Sequence, residues 1–195
     1  MVRVAAEKGL EAATVTDVAA LGGVSEDRFY AMFEDKEACF IEAYDAIFDV
    51  AIAHMTASFE DAEGEDWPHR VALVLRALVE LLAREAAIAR MAMVEVSAAG
   101  GIARAHYRSA LERFTPFLDQ GREFSGQGDE LPADTAVFAV GGATSMIFDE
   151  FRAGRGPELE RILPQLVFAV LMPYLGPAAA EQEMARVSRE RLRPA

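Results

Sequence analysis

The segment from Thr14 to Lys36, which reads TVTDVAALGGVSEDRFYAMFEDK, constrains the fold of this chain more than any other stretch. Thr14 and Asp17 form a capping-box pattern, in which a hydroxyl and a carboxylate three residues apart each satisfy a free backbone N–H at a helix start. Gly22 and Gly23 end this helix, because glycine enters the left-handed conformation of a tight turn without steric cost. The sequence therefore predicts one short helix between a cap and a glycine turn.

Two further helix starts follow in the same segment. Ser25 is predicted to cap a second short helix, and Asp35 to cap a third, long one. Phe29 and Phe33 lie four residues apart, so they share the face that packs on the first helix. Two short helices joined by a glycine-containing turn form a helix-turn-helix, whose second helix can enter a DNA major groove.

The residues in and around this unit fall at a fixed spacing without a gap, namely Gly9-Leu10, Thr14-Val15, Asp17-Val18-Ala19, Gly23-Val24-Ser25, Tyr30, Phe33 and Lys36-Glu37. At this spacing the chain resembles the N-terminal domain of TetR-type (tetracycline-repressor-like) bacterial transcriptional regulators. The resemblance implies a tri-helical helix-turn-helix DNA-binding domain over residues 1–44 and a helical ligand-binding and dimerisation domain over residues 45–195. The segment Val2–Lys8 is shorter than the first helix of that family. Either further residues precede Met1, or the domain is shortened and its DNA binding is weakened.

The resemblance assigns DNA contacts to Thr14, Ser25, Glu26, Asp27, Arg28, Tyr30 and Lys36. It implies phosphate contacts for Thr14, Tyr30 and Lys36. Arg28 is the implied base reader, bidentate to guanine, and Glu26 is an implied acceptor for a cytosine amino group. From the residues alone, Glu26 and Asp27 are equally explained as acids that stabilise the N-terminus of a helix.

The charge of the chain opposes a polyanionic partner. The net charge is −13, and residues 1–56 contain four basic and eleven acidic residues, a net charge of −7. Because Lys and Arg supply most of the non-specific affinity for DNA, two functions stay open. One is a regulator that binds double-stranded operator DNA. The other is a module of the same fold that binds a ligand or a protein and has weak or lost DNA binding.

The remainder of the chain is predicted to be helical. Apolar residues recur at steps of three and four, and no stretch alternates as a strand does, so we expect an all-α fold. The predicted helices cover Lys36–Phe59, Trp67–Arg84, Ala86–Val96, Ile102–Phe124, Ala133–Phe151, Leu159–Leu175 and Pro177–Leu192.

Aromatic and methionine side chains of this second part are candidates for the wall of an apolar ligand cavity. Glu95 and His106 join them, because each lies in an otherwise apolar segment. The candidates are Phe59, Trp67, Met91, Met93, Glu95, His106, Tyr107, Phe114, Phe117 and Phe148. Each of the apolar ones is also explained as ordinary core.

The helices Ala133–Phe151 and Leu159–Met172 are the predicted dimer surface, because the small residues of the first permit close packing of a helix pair from each subunit. The candidate residues are Val137, Val140, Gly141, Thr144, Phe148, Val167, Val170 and Leu171. The alternative is that both helices are buried within one protomer.

No catalytic residue, metal site or cofactor is predicted. His54, His69 and His106 share no ligand spacing with each other or with the single Cys39, and we find neither a nucleophile elbow nor a phosphate-binding loop. A targeting segment and a membrane span are likewise not predicted. We therefore expect a cytoplasmic homodimeric regulator that is not an enzyme, a repressor released by a small hydrophobic effector.

Overall fold

The computed structural model describes residues 1–95, 109, 111–126 and 130–191, and within these ranges it contains helices and no strand. The α-helices are α1 Val2–Lys8, α2 Val15–Gly22, α3 Glu26–Tyr30, α4 Lys36–Asp61, α5 Trp67–Arg84, α6 Ala86–Arg90, α7 Pro116–Asp119, α8 Gly121–Phe124, α9 Thr135–Arg152 and α10 Leu163–Arg191. A π-helical turn, Met91–Glu95, follows α6, and a 3₁₀ helix, Gly156–Ile162, precedes α10. The all-α prediction is confirmed.

The caps predicted for the N-terminal head are present. The Thr14 hydroxyl accepts from the backbone N–H of Asp17, whose carboxylate accepts from the backbone N–H of Thr14, both at 3.2 Å. Gly23 adopts the left-handed conformation, with φ 64° and ψ 31°. Ser25 and Asp35 cap α3 and α4 by accepting backbone N–H groups at 3.2 and 2.8 Å. The helix-turn-helix therefore forms from local interactions that the sequence already contains.

The head packs on the rest of the protein through α1 and α4. Phe40, Tyr44 and Phe48 of α4 form one apolar cluster with α1 and with Met91 of the π-helical turn. The ring centroids of these aromatic neighbours on α4 lie 5.7 and 5.0 Å apart. Since α4 crosses the predicted boundary at residue 44, the division into two domains stays a prediction.

The larger core lies between α5, α9, the 3₁₀ helix and α10. By length and composition α10 could cross a membrane, but Leu166, Val167 and Leu171 are fully buried in this core. This part of α10 is therefore a central element of the core. A buried polar contact joins the second half of α10 to α5, where His69 Nδ1 lies 2.7 Å from Glu183 Oε1.

Two predicted helix boundaries are wrong. Instead of one helix reaching Phe124, the chain turns before Pro116, which cannot donate a helical hydrogen bond, and the Thr115 hydroxyl donates to the Glu112 carbonyl. The apolar C-terminal helix begins at Leu163, because the preceding turn is 3₁₀, and it continues through Pro173. Its break comes at Gly176, where φ is 75°.

Gly121 allows α8 to approach the core closely. A Cβ atom at this position would lie 2.4 Å from the Trp67 ring and 2.7 Å from Tyr174. Trp67 also stacks on Phe124, with ring centroids 5.9 Å apart, and contacts Tyr174 edge-on at 5.3 Å. Because a side chain at Gly121 would meet two large buried rings, only glycine fits there without movement.

Gly121→Ala is expected to lower the free energy of unfolding by about 1–3 kcal/mol, the usual cost of overpacking a core. Chemical denaturation measures it. Gly126→Ala is the matched control, because a Cβ there meets nothing within 4 Å, and we expect it to be close to neutral. Equal stabilities of the two variants would contradict the close approach.

Candidate functional site

The exposed face of α2 and α3 carries most of the predicted DNA contacts. Asp27, Arg28 and Tyr30 are exposed on α3. Glu26 differs, because its carboxylate accepts a hydrogen bond from the Thr16 hydroxyl at 2.5 Å and so joins α3 to the first turn of α2. In this conformation Glu26 orients the two helices, and its predicted role as a cytosine acceptor competes with that bond.

The Lys36 ammonium group is used within the head. It donates to the backbone carbonyl oxygens of Glu11 at 3.0 Å, Ala13 at 3.2 Å and Leu10 at 3.5 Å. These carbonyls belong to the connection between α1 and α2, so Lys36 fixes that connection against the start of α4. All three of its N–H donors face carbonyl groups. The structure therefore does not present this ammonium to a phosphate, contrary to the sequence-based expectation.

Few basic groups of the head are free to meet a phosphate. Within residues 1–56, all of them described, Lys8 binds Asp17 Oδ1 at 2.6 Å. The Lys8 ammonium and the Thr14 hydroxyl hold the pKa of Asp17 below its ordinary value. Arg3 and Arg28 remain, and both are exposed without an ion pair among the described residues. The electrostatic part of any DNA affinity rests on these two side chains.

A cavity of about 110 Å³ lies between α4, α5, the π-helical turn, residues 111–118, α9 and α10. Thr144 is the only one of its described lining residues with a polar side chain. The wall consists of Ile47, Phe48, Ala51, Met55, Val71, Val74, Leu75, Leu78, Leu82, Ala89, Ala92, Met93, Leu111, Phe114, Phe117, Leu118, Val140, Ala143, Thr144, Ile147 and Val170. Such a wall suits an apolar guest.

Three of the predicted ligand residues, Met93, Phe114 and Phe117, are in this wall. His106, Tyr107 and the Glu95 side chain lie outside the described residues. Most of the wall was missed by sequence reasoning, because the candidates were chiefly aromatic and methionine side chains, whereas most wall residues are aliphatic side chains of α4, α5, α9 and the neighbouring segments. Their periodic spacing predicts helices, but it does not separate a cavity wall from solid core.

The other four predicted ligand residues lie elsewhere. The Phe59 ring lies under the Arg70 guanidinium, 3.6 Å from ring centroid to Cζ. Trp67 belongs to the larger core, and Met91 belongs to the cluster between head and body. Phe148 is partly buried on α9 and does not line the cavity. The expectation that these four line the cavity is therefore corrected, because neighbours brought together by the fold bury them at other places.

The predicted dimer surface is partly wrong. Val167, Val170 and Leu171 are buried within the protomer, with 0%, 2% and 0% of their surface exposed, because this side of α10 packs on the core. Val140 and Thr144 belong to the cavity wall.

An exposed apolar strip does exist on α9. It contains Val137 and Gly141 as predicted and also Phe138, which is 79% exposed. Neither Gly141 nor Gly142 has any neighbour within 4 Å of an added Cβ, so the strip is open. On α10, Met172 is a large apolar side chain that is also exposed.

The π-helical turn lies between the cavity and the head. Ala92 and Met93 are in the cavity wall, while Met91 and Ala92 pack with α1 and α4. The buried Tyr44 hydroxyl donates to the Ala92 carbonyl at 3.0 Å. A π-helical turn shifts the backbone hydrogen-bond register, and such turns are frequent at functional sites. A displacement of this wall segment would therefore act directly on α4.

Comparisons with known proteins bear on this arrangement. Residues 2–43 match the family model described as "Bacterial regulatory proteins, tetR family". No curated protein sequence matches the chain significantly.

Two solved structures have a similar fold. The first is the fatty acid degradation regulator FadR from Bacillus halodurans, with a TM-score of 0.76, 18% identity, and coverage of 87% of this chain and 93% of that one. The second is the transcriptional regulator FadR from Bacillus subtilis in complex with stearoyl-CoA, with a TM-score of 0.69, 18% identity, and coverage of 90% and 94%. At this identity the likeness concerns the fold.

The two free arginines predict a shallow salt dependence for any DNA complex. Each phosphate contact contributes about −0.9 to the slope of log affinity against log salt concentration, so two heads with two arginines each give a slope of about −4 at most. Fluorescence anisotropy between about 50 and 200 mM salt measures this slope.

Arg28→Ala should make that slope shallower by about 2, because it removes one contact from each head. Lys8→Ala is the control, since Lys8 is already paired with Asp17, and it should leave the slope unchanged. A slope of about −8 or steeper would mean that other basic groups reach the DNA.

Proposed function

We propose that this chain is a TetR-type bacterial transcriptional regulator and acts as a DNA-binding repressor released by a small apolar effector in the cavity between α4, α5 and α9. One observation carries this proposal. The same helix, α4, begins in the head and lines the cavity through Phe48, Ala51 and Met55. A guest in the cavity therefore contacts the element that positions the helix-turn-helix.

The effector class follows from the wall. Its described side chains offer no charge, so a charged group inside would lose its hydration without a partner. An acyl chain or another hydrocarbon body meets this condition, and the presence of stearoyl-CoA in one structure of similar fold supports this class. Any charged part of such a molecule would stay outside the cavity.

The size of the cavity explains how a ligand can act. An apolar cavity of about 150 Å³ accepts benzene, and this one has a volume of about 110 Å³. A longer effector fits only when the wall moves apart. It therefore binds the expanded state more tightly than the closed one, and this difference in affinity is what shifts a two-state equilibrium.

The DNA-binding unit is a cytoplasmic homodimer. The open strip on α9, with Phe138 and Gly141, supports an isologous contact between two copies. Two heads related by a two-fold axis would read half-sites about one DNA turn apart, and a tilt of α4 would change their separation.

Two observations favour a second function. The head has a net charge of −7, and its Lys36 ammonium is bound to backbone carbonyls. Both features favour a protein that keeps the ligand-binding fold but binds DNA weakly or not at all.

An electrophoretic shift assay on the DNA flanking its own gene, at about 50 mM salt, separates these functions. The repressor should give a retarded band that disappears when stearoyl-CoA is added, with free coenzyme A as the control. A retarded band that no apolar compound affects would contradict ligand control. The absence of any retarded band would favour the second function.

Tyr44→Phe tests the path from the cavity to the head. Removing the hydroxyl leaves the buried Ala92 carbonyl without this donor. A displacement of the π-helical turn would then move α4 by a smaller amount. We expect the change in DNA affinity caused by ligand to shrink by about threefold to tenfold, in the range of residues that carry coupling. Anisotropy titrations with and without stearoyl-CoA measure it.

Tyr174→Phe is the matched control for this variant. The Tyr174 hydroxyl is buried and has no hydrogen-bond partner among the described residues, so its removal should leave the coupling unchanged. An equal loss of coupling in both variants would indicate a general effect of removing a buried hydroxyl.

A further inference from the structure

Thr144 is the chemical exception in the cavity wall. Of the 21 described residues that line the cavity, 20 have apolar side chains and Thr144 alone has a hydroxyl. It lies on α9 beside Ala143, one turn before Ile147 and Phe148. The remainder of the wall can hold a guest by contact alone, so Thr144 is the side chain that can distinguish one guest from another of the same shape.

The Thr144 hydroxyl has no hydrogen-bond partner among the described residues, although the side chain is partly buried. In a helix a threonine hydroxyl commonly donates to the carbonyl four residues earlier, here that of Val140, but this bond is not formed. The Thr144 hydroxyl is not one of the fully buried polar groups without a partner, which within the described residues are Trp67 Nε1 and the Tyr174 hydroxyl. Its donor and acceptor are therefore available to a ligand atom in the cavity.

We propose that Thr144 sets the specificity of the cavity by hydrogen bonding to one uncharged polar group, a hydroxyl or a carbonyl oxygen, on an otherwise apolar effector. This inference rests on the proposed function and names the chemistry of its ligand. The group must be uncharged, because the described wall contains no opposite charge to compensate a buried ion. A site with one such group rejects an analogue that lacks the polar atom more strongly than it rejects one of slightly different length.

Benzyl alcohol and ethylbenzene are suitable probes, since both are small single-ring molecules that need only a modest expansion of the cavity, and they differ in a hydroxyl against a methyl group. Calorimetry on the full chain gives the ratio of their dissociation constants, alcohol over hydrocarbon. Thr144→Val replaces the hydroxyl by a methyl group at almost constant volume. We expect it to raise this ratio about tenfold, which corresponds to the loss of one hydrogen bond.

Two variants make the comparison specific. Thr144→Ser keeps the hydroxyl and should keep the wild-type ratio, which shows that the effect of Thr144→Val comes from the hydroxyl and not from the shape. Ser145→Ala removes a hydroxyl from the neighbouring exposed position and should also leave the ratio unchanged. Because the ratio compares two ligands on one variant, an altered stability of that variant cancels.

The outcomes separate this inference from the proposed function. If both probes bind and Thr144→Val leaves the ratio unchanged, Thr144 does not set the specificity, while the cavity remains a ligand site. A ratio that Thr144→Ser changes as much as Thr144→Val would also overturn the inference. If neither probe binds the wild-type protein, the inference is overturned, while the effector part of the proposed function is judged separately by the shift assay with stearoyl-CoA.

Discussion

The contact between the aromatic face of α4 and the π-helical turn is the interaction on which the rest of the structure depends. Phe40, Tyr44 and Phe48 pack in one apolar cluster with α1 and with Met91 and Ala92. At about 1.5 Å per residue, α4 extends roughly 39 Å from the helix-turn-helix along the wall of the cavity. Because one rigid element belongs to both regions, head and cavity cannot change independently. This packing is the physical basis for the proposed regulation, in which ligand and DNA compete.

The head uses several of its charged side chains to hold itself together. Lys8 pairs with Asp17, Lys36 binds three backbone carbonyls, and Glu26 joins α3 to α2 through Thr16. These bonds join the helices of the head to one another, but they leave little positive charge for DNA. Phosphate contacts would then depend more on hydroxyl groups and on the N–H groups at helix N-termini, which position a protein on DNA without adding net charge. An acidic head can therefore bind DNA if most phosphate contacts come from hydroxyl and backbone N–H groups, which need no net positive charge.

The cavity is small, apolar and close to the point where the head is attached. These three properties act together. A small cavity must open to accept its ligand, so ligand binding displaces the wall, and the wall is next to the head. The Tyr44 hydroxyl and the Ala92 carbonyl give that displacement a direct route into α4. A cavity already large enough for its guest would bind without moving its wall and would shift no equilibrium.

The sequence by itself determined the helices and the helix-turn-helix, because these depend on interactions between residues three or four positions apart. The capping box at Thr14, the left-handed Gly23 and the caps at Ser25 and Asp35 were all predicted correctly for this reason. The family resemblance of the head was also correct, since its residues are contiguous.

Only the tertiary structure decided what each apolar side chain contacts. Phe59, Trp67 and Met93 all looked alike as candidates for the cavity, but only Met93 lines it. Val167 and Leu171 were expected on a dimer surface and are core, whereas the exposed Phe138 was missed. The physical reason is that the hydrophobic effect has no direction, so a periodic apolar pattern shows that a face is buried without showing against what. Cavity, core and subunit contact become distinct only when helices far apart in sequence are packed together.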